Sequence, residues 1–359
     1  MSYKSFYSLI VKNITPKTRD CITTSFDIPS DLKETFKFKA GQYLTIKHKI
    51  KGEDVRRSYS ICSDPYNDSH TIAIKKIQGG KFSTFANETL KEGDSLEVMP
   101  PAGNFTLDHT TDKSFVFFAA GSGITPIMSH VRDCLHNHRD TMVTLIYGNK
   151  NFESVIFRED LEALKNKFMN RISVHHVFSQ EKIGIPLMFG RLGKEKCLIM
   201  SRTLFSTTHT DAFMICGPND MIFSLKEALG EIGVASDKIY FELFNTDGLK
   251  KSLENTDGLP NTERHKESEI TVQMDGDIFE FSLEYSGQNL LDAAIANGAD
   301  LPFSCKGGVC STCRAKITEG KVEMDVNYAL EPDEIKAGYV LLCQAHPRTP
   351  KVFIDFDQK

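Results

Sequence analysis

The chain has 359 residues, with 43 Lys plus Arg against 48 Asp plus Glu, and the resulting net charge of −5 excludes a nucleic-acid binder that works by bulk positive charge. At 40% hydrophobic and 25% charged the composition is that of an ordinary globular protein, long enough for two or three domains. No apolar run approaches the roughly 18 residues of a membrane span, and the N-terminus lacks a signal-peptide pattern, so the expected location is the cytoplasm, with no membrane partner.

Residues 1–105 read as short strands separated by turn residues, which predicts an antiparallel β-barrel. Period-two alternation runs through 41–47, 71–77 and 95–99. Between these lie Arg57-Ser58-Tyr59-Ser60 and, later, Gly79-Gly80-Lys81-Phe82-Ser83. A guanidinium fork matches phosphate oxygens, an aromatic face suits a flat ring, and a helix starting at Ser83 aims free N–H groups at a pyrophosphate. Each segment alone is also compatible with an edge strand or a hairpin turn. Pro100-Pro101 then breaks regular structure and marks a boundary near residue 105.

The next unit, 106–245, opens with the apolar run 115–120, a strand buried on both faces, followed directly by Gly121-Ser122-Gly123, Thr125-Pro126 and a helix over 127–136. Strand, glycine turn and helix N-terminus in that order receive a dinucleotide pyrophosphate. A second apolar strand, 212–216, ends in Cys216-Gly217-Pro218. Strands at 143–147 and 172–178 with helices at 157–168 and 219–229 complete a doubly wound α/β pattern. His175 and His176 are adjacent on a strand and point to opposite faces, so they are read as structural. Lys150 stands where an NAD site places an acidic residue, and Arg158 follows on the next helix. Positive charge there favours NADPH over NADH, the alternative being a solvated lysine. Phe244 closes the unit, as core or as a cofactor-facing aromatic.

A polar stretch, 246–268, carries Asn-Thr-Asp-Gly-Leu at 245–249 and again at 255–259, and its composition predicts a flexible linker. From 269 to 359 the chain reads as a small α+β unit, with a hairpin turn at Asp275-Gly276 and a helix over 289–297 ended by Gly298. Its net charge is −7, against +2 for the rest of the chain. Such an acidic unit either docks on a basic partner or is simply a solvated surface.

Cys305, Cys310 and Cys313 are spaced C-x4-C-x2-C, and Cys343 follows at C-x29-C. This is the plant-type [2Fe–2S] spacing; a zinc ribbon would need a second C-x2-C pair. Gly307 and Gly308 let the loop turn with its N–H groups toward the sulfurs. Cys21, Cys62, Cys134 and Cys197 are expected to be buried apolar side chains.

Taken together, R-x-Y-S with the G-G-x-x-S turn, the glycine and C-G-P segments and the cysteine loop resemble the ferredoxin–NADP reductase superfamily, specifically the reductases of multicomponent oxygenases. The resemblance covers essentially the whole chain. It implies FAD rather than FMN, with Arg57 at the flavin phosphates, Tyr59 against the isoalloxazine ring, Ser60 near its N5, and Ser58 between them in the cofactor-binding set. Gly79, Gly80 and Ser83 belong to the same flavin fingerprint. It further implies that Gly121, Gly123, Thr125, Cys216, Gly217 and Pro218 bracket the nicotinamide, with Thr125 and Cys216 beside the reactive carbon, and that Phe244 meets the flavin. Together with Ser60, those two residues form the expected catalytic set. The implied fold is a β-barrel flavin domain, a nucleotide domain and a C-terminal β-grasp ferredoxin domain. The implied activity is electron transfer from NAD(P)H through FAD and the cluster to the oxygenase subunits of a multicomponent monooxygenase containing a diiron centre. Two alternatives stay open: the same machinery serving a ring-hydroxylating oxygenase, a hybrid-cluster protein or a quinone, and a non-catalytic iron–sulfur redox sensor.

Overall fold

The computed structural model describes residues 6–67, 69–107, 114–245 and 266–358. It divides into two compact units, one spanning Phe6–Phe244 and the other built on Asn245–Lys359. The expected linker, 246–268, lies almost wholly outside the described residues; its last two positions already belong to a strand.

The first unit begins with β1 (Tyr7–Thr18), β2 (Cys21–Asp27), β3 (Tyr43–Ile50), β4 (Glu53–Ser60), β5 (His70–Lys75), α1 (Lys81–Glu88) and β6 (Ser95–Val98). Six strands pair antiparallel in the order β4-β3-β6-β1-β2-β5. A bridge from Ile61, just past β4, to Ile72 of β5 joins the two edges into a barrel, which leaves no open edge there. Leu9, Leu44, Ile46, Ile72, Ile74 and Phe82 fill its core. Helix α1 starts at Lys81, two residues before the position expected from sequence, because Gly80 takes the extended cap conformation and Ser83 already lies in the first turn.

Five parallel strands follow: β7 (Ser114–Ala120), β8 (Met142–Asn149), β9 (Ile172–Phe178), β10 (Ala212–Cys216) and β11 (Ile239–Glu242), in the order β11-β10-β7-β8-β9. They alternate with α2 (Ile124–Asn137), α3 (Arg158–Lys167), α4 (Lys194–Met200) and α5 (Asn219–Glu231). Helix α2 begins three residues earlier than expected. Pro126 sits within its first turn, where its missing N–H costs nothing. Helix α4 and the short edge strand β11 carry no strong periodicity, and local sequence does not announce them.

Barrel and parallel sheet are joined within this unit by polar contacts along α2. Ser129 Oγ donates to the Ser63 carbonyl at 2.7 Å, His130 Nε2 donates to the Phe105 carbonyl at 2.9 Å, and Arg132 donates to the Cys62 carbonyl and pairs with Asp160. Lys17 of β1 reaches the same Asp160 at 2.8 Å. Cys21, Cys62 and Cys134 are buried in the core shared by these elements, and Cys197 is buried on α4.

The second unit holds β12 (Glu267–Met274), β13 (Asp277–Glu284), α6 (Leu290–Ala296), β14 (Arg314–Glu319), β15 (Val322–Met324), α7 (Pro332–Lys336), β16 (Tyr339–Leu341), β17 (Ala345–Pro347) and β18 (Lys351–Asp355). Its main sheet runs β13-β12-β18-β14-β16, with β12 and β18 parallel at the centre. Asp275 and Gly276 both have positive φ, as a two-residue hairpin turn requires. Asn289 caps α6 by accepting from the Asp292 amide at 2.9 Å.

Candidate active site and cluster loop

Side chains alternate along β4, so Arg57 and Tyr59 share one face, and Ser58 and Ser60 share the other. Tyr59 is half-buried with its ring 5.7 Å from Phe82 of α1, and Arg57 on the same face is exposed. Burial raises the Tyr59 hydroxyl well above its ordinary range, so it stays protonated. No side chain caps α1, whose first-turn amides at 81–83 therefore lack intrahelical partners. Arg57, whose Nη1 donates to the Arg56 carbonyl at 2.6 Å, and Tyr59 thus share the face of β4 that packs on α1 through Phe82, and an arginine, an aromatic face and a helix N-terminus are a donor set that fits a flavin and its phosphates. Gly79 and Gly80 form the turn into α1, and the Ser83 hydroxyl is buried there, accepting from the Ile77 amide at 3.3 Å. On the opposite face, the Ser58 hydroxyl bonds with Thr45 at 2.9 Å.

Ser60 is buried at the end of β4, and its hydroxyl donates to Glu242 Oε2 at 3.5 Å. Glu242 ends β11 and stands in register with Cys216 of β10. Two residues expected in the catalytic set, one from the barrel and one from the nucleotide sheet, are thereby joined through a third that belongs to neither motif. Its only signal in the sequence is that of a lone acidic residue in the aromatic stretch 241–244. Burial pushes the Glu242 carboxyl up to about 8, against the lowering effect of the Ser60 hydrogen bond, although the residue keeps some exposed surface. Burial, aided by the nearby Glu242 charge, also raises the Cys216 thiol well above its usual range. Cys216 is therefore a neutral thiol at pH 7 and not a nucleophile.

Thr125 is buried in the first turn of α2, donating to the Ser122 carbonyl at 3.0 Å. The glycine turn is pressed against β10: a Cβ on Gly123 would lie 2.2 Å from the Cys216 carbonyl oxygen and 2.7 Å from the Gly217 amide. The turn that carries Gly121, Gly123 and Thr125 thus meets the Cys216-Gly217-Pro218 segment through Gly123, where adjacent parallel strands β7 and β10 end. That edge is where open α/β sheets bind dinucleotides, and the tight turn fits a pyrophosphate. Lys150 is exposed past β8, its carbonyl accepting from the Gln180 amide at 2.8 Å; Arg158 lies 4.7 Å over the ring of Phe152. Neither cation is in the Ser60–Cys216 group. Phe244 is 41% exposed, which removes its reading as a core residue.

In the second unit, Cys305, Cys310, Cys313 and Cys343 converge. Cys310 Sγ lies 3.1 Å from Cys305 Sγ, and Cys343 is within hydrogen-bonding reach of Cys305 and Cys313. The Gly307 amide donates to Cys305 Sγ at 3.3 Å. Thiol donors Cys310 and Cys343, with the Gly307 and Val309 amides, hold Cys305 far below the ordinary thiol range; Cys310 and Cys343 are pushed up as the donors. Gly308 has φ +75°, and a Cβ there would meet Val326 Cγ2 at 2.9 Å. Among the described residues, no three His, Cys, Asp or Glu stand as a single-ion site would hold them. Four crowded sulfurs with backbone N–H groups turned toward them fit a [2Fe–2S] cluster.

Residues 8–107 match the oxidoreductase FAD-binding domain family, 117–227 the oxidoreductase NAD-binding domain family, and 273–348 the 2Fe-2S iron-sulfur cluster binding domain family. The chain is 40% identical over 360 residues to one of the subunits of 1,2-phenylacetyl-CoA epoxidase from Escherichia coli (strain K12), covering 99% of each. The chain belongs to the family of that epoxidase component. It is 32% identical to the ferredoxin reductase component of 3-ketosteroid-9-alpha-monooxygenase from Rhodococcus rhodochrous, across 97% of this chain and 96% of that one. Phthalate dioxygenase reductase shares the fold with a TM-score of 0.59 at 22% identity, over 98% of both chains. This reductase is accordingly an oxidoreductase that carries electrons from NAD(P)H by way of FAD and a [2Fe–2S] cluster. No helix among its described residues is long and apolar enough to cross a membrane.

Proposed function

We propose that this reductase draws on NADPH to supply the oxygenase of phenylacetyl-CoA epoxidation, in the cytoplasm, as part of phenylacetate breakdown. The observation that carries the partner is the 40% identity extending over 99% of both chains, across all three matched segments. When bound, nicotinamide, FAD and cluster together supply the conversion of one two-electron hydride into two single-electron transfers. The chain's own residues do the placing. Arg57, Gly79, Gly80 and Ser83, with the α1 amides, hold the flavin's polar end, Tyr59 and Phe244 supply its aromatic walls, and Ser58 ties β4 to Thr45 of β3 from the strand's other face. Gly121, Gly123, Gly217 and Pro218 seat the dinucleotide, while Thr125 and Cys216 flank the nicotinamide as neutral, compact side chains. Ser60 stands at the flavin edge with its hydroxyl oriented by Glu242, which holds a proton below pH of about 8. Lys150, with Arg158 nearby, meets the 2′-phosphate. Cys305, Cys310, Cys313 and Cys343 are the four cluster ligands.

The test is reconstitution with the diiron oxygenase subunits. Epoxide formation from phenylacetyl-CoA that depends on NADPH, oxygen and this reductase is the expected result. Rapid reduction of ferricyanide with no epoxide would move the assignment to another acceptor.

A further inference from the structure

Gln344 follows the last cysteine directly and is buried, 8% exposed, in the short turn Leu342–Gln344. Three acceptors surround its side-chain Nε2: the Cys343 carbonyl at 2.7 Å, the Lys306 carbonyl at 3.2 Å and Cys343 Sγ at 3.6 Å. Since the two carbonyls only accept, the amide nitrogen and not its oxygen must face them, and the same nitrogen then points at Cys343 Sγ. The rest of the residue is equally fixed. Its own carbonyl accepts from the Asp325 amide at 2.8 Å, and its Cγ packs where a Cβ on Gly308 would lie 3.1 Å away.

One side chain therefore bridges the two segments that bring the cysteines together, the loop 305–313 and the turn that carries Cys343. At Lys306 the backbone is strained, a non-glycine residue with φ +50°. It is held from both ends: its carbonyl accepts from Gln344, and its Nζ pairs with Asp292 of α6 at 2.6 Å. An N–H donor beside a thiolate withdraws charge from it and stabilises the more negative, reduced form of a cluster.

On the reading that the four cysteines hold a [2Fe–2S] cluster, we propose that Gln344 is a positioning residue that sets the cluster's reduction potential, through its N–H donation to Cys343 Sγ and its tie to the Lys306 carbonyl. Replacement by Met keeps length and apolar packing but removes both donors. Replacement by Glu keeps shape and puts acceptor oxygens where the donors were.

The experiment is an EPR-monitored redox titration of the full-length protein as wild type, Gln344→Met and Gln344→Glu. In Gln344→Met the equilibrium constant for cluster reduction is expected to fall about tenfold, which is about 59 mV for a one-electron couple. In Gln344→Glu it falls further, with flavin content unchanged in both. Variants that keep the cluster and titrate at the wild-type potential overturn the proposal. If both variants assemble no cluster, reduced wild type with 15N-labelled glutamine side chains decides. Pulsed EPR coupling from a side-chain nitrogen supports the proposal, and its absence overturns it. A wild type without any iron–sulfur spectrum would instead overturn the cluster reading itself.

Discussion

Glu242 sits where two effects oppose each other, desolvation of its carboxylate and a hydrogen bond from Ser60, and desolvation wins. With the folded value near 8 and the unfolded value at 4.5, the folded chain binds more protons than the unfolded one between those limits. Its contribution to stability is therefore greatest below about pH 4.5 and declines as pH rises toward 8. Gln cannot titrate. The melting temperature of Glu242→Gln relative to wild type should rise from pH 5 to pH 8 and level off beyond it, as read by calorimetry; a difference independent of pH would show an ordinary, ionised glutamate. The other residue-scale expectation concerns charge. Lys150→Asp should raise the KM for NADPH roughly tenfold or more, since a charge-assisted hydrogen bond contributes about 1.5–3 kcal/mol, while the KM for NADH changes little. Equal shifts for both nucleotides in steady-state assays would make Lys150 a surface residue only.

Among elements, the contact between the β7–α2 turn and the end of β10 is the most demanding. The backbone of Gly123 approaches Cys216 and Gly217 so closely that any side chain must displace one strand end or the other. Gly123→Ala should cost about 1–3 kcal/mol by overpacking and weaken nucleotide binding by at least tenfold. Calorimetry and nucleotide titration would check both, and a variant with wild-type affinity would place the dinucleotide elsewhere. The paired elements are visible in the sequence because each carries its own signal, a buried apolar run ending in glycine or in Cys-Gly-Pro. Their proximity is not, since 93 positions separate Gly123 from Cys216 and nothing local records which strands become neighbours. Helix starts escape local reading in a similar way. Composition suggests that α1 begins at Ser83 and α2 at Ile127, whereas cap geometry at Gly80 and tolerance of Pro126 in a first turn move both earlier.

For the whole molecule, the residues proposed for flavin and nucleotide lie in one compact unit and the four cysteines in the other. Loss of the cluster should therefore spare the first unit's chemistry. Cys310→Ser is expected to abolish the iron–sulfur absorption and EPR signals while keeping flavin content and NADPH–ferricyanide activity within about twofold of wild type, because ferricyanide accepts electrons without the ferredoxin-type unit. Activity with the oxygenase subunits should vanish. Flavin loss in the variant would sink the division of labour.

The sequence alone determined what is carried by spacing and by side-chain type: the C-x4-C-x2-C-x29-C pattern proposed as the ligand set, the R-x-Y-S and glycine segments, and the strand–turn–helix alternation of a nucleotide sheet. These are local because a cofactor's donor set must be held by short, stereotyped turns, and such turns need particular residues at fixed intervals. Only the tertiary structure decided which distant groups share an environment. It placed Ser60 against Glu242 across 182 positions, brought Gln344 onto both Cys343 Sγ and the Lys306 carbonyl, and turned Phe244 outward. Burial, and with it the raised proton affinity of Glu242 and Cys216, is a property of all the chain packed around a group, and no window of neighbouring residues contains it.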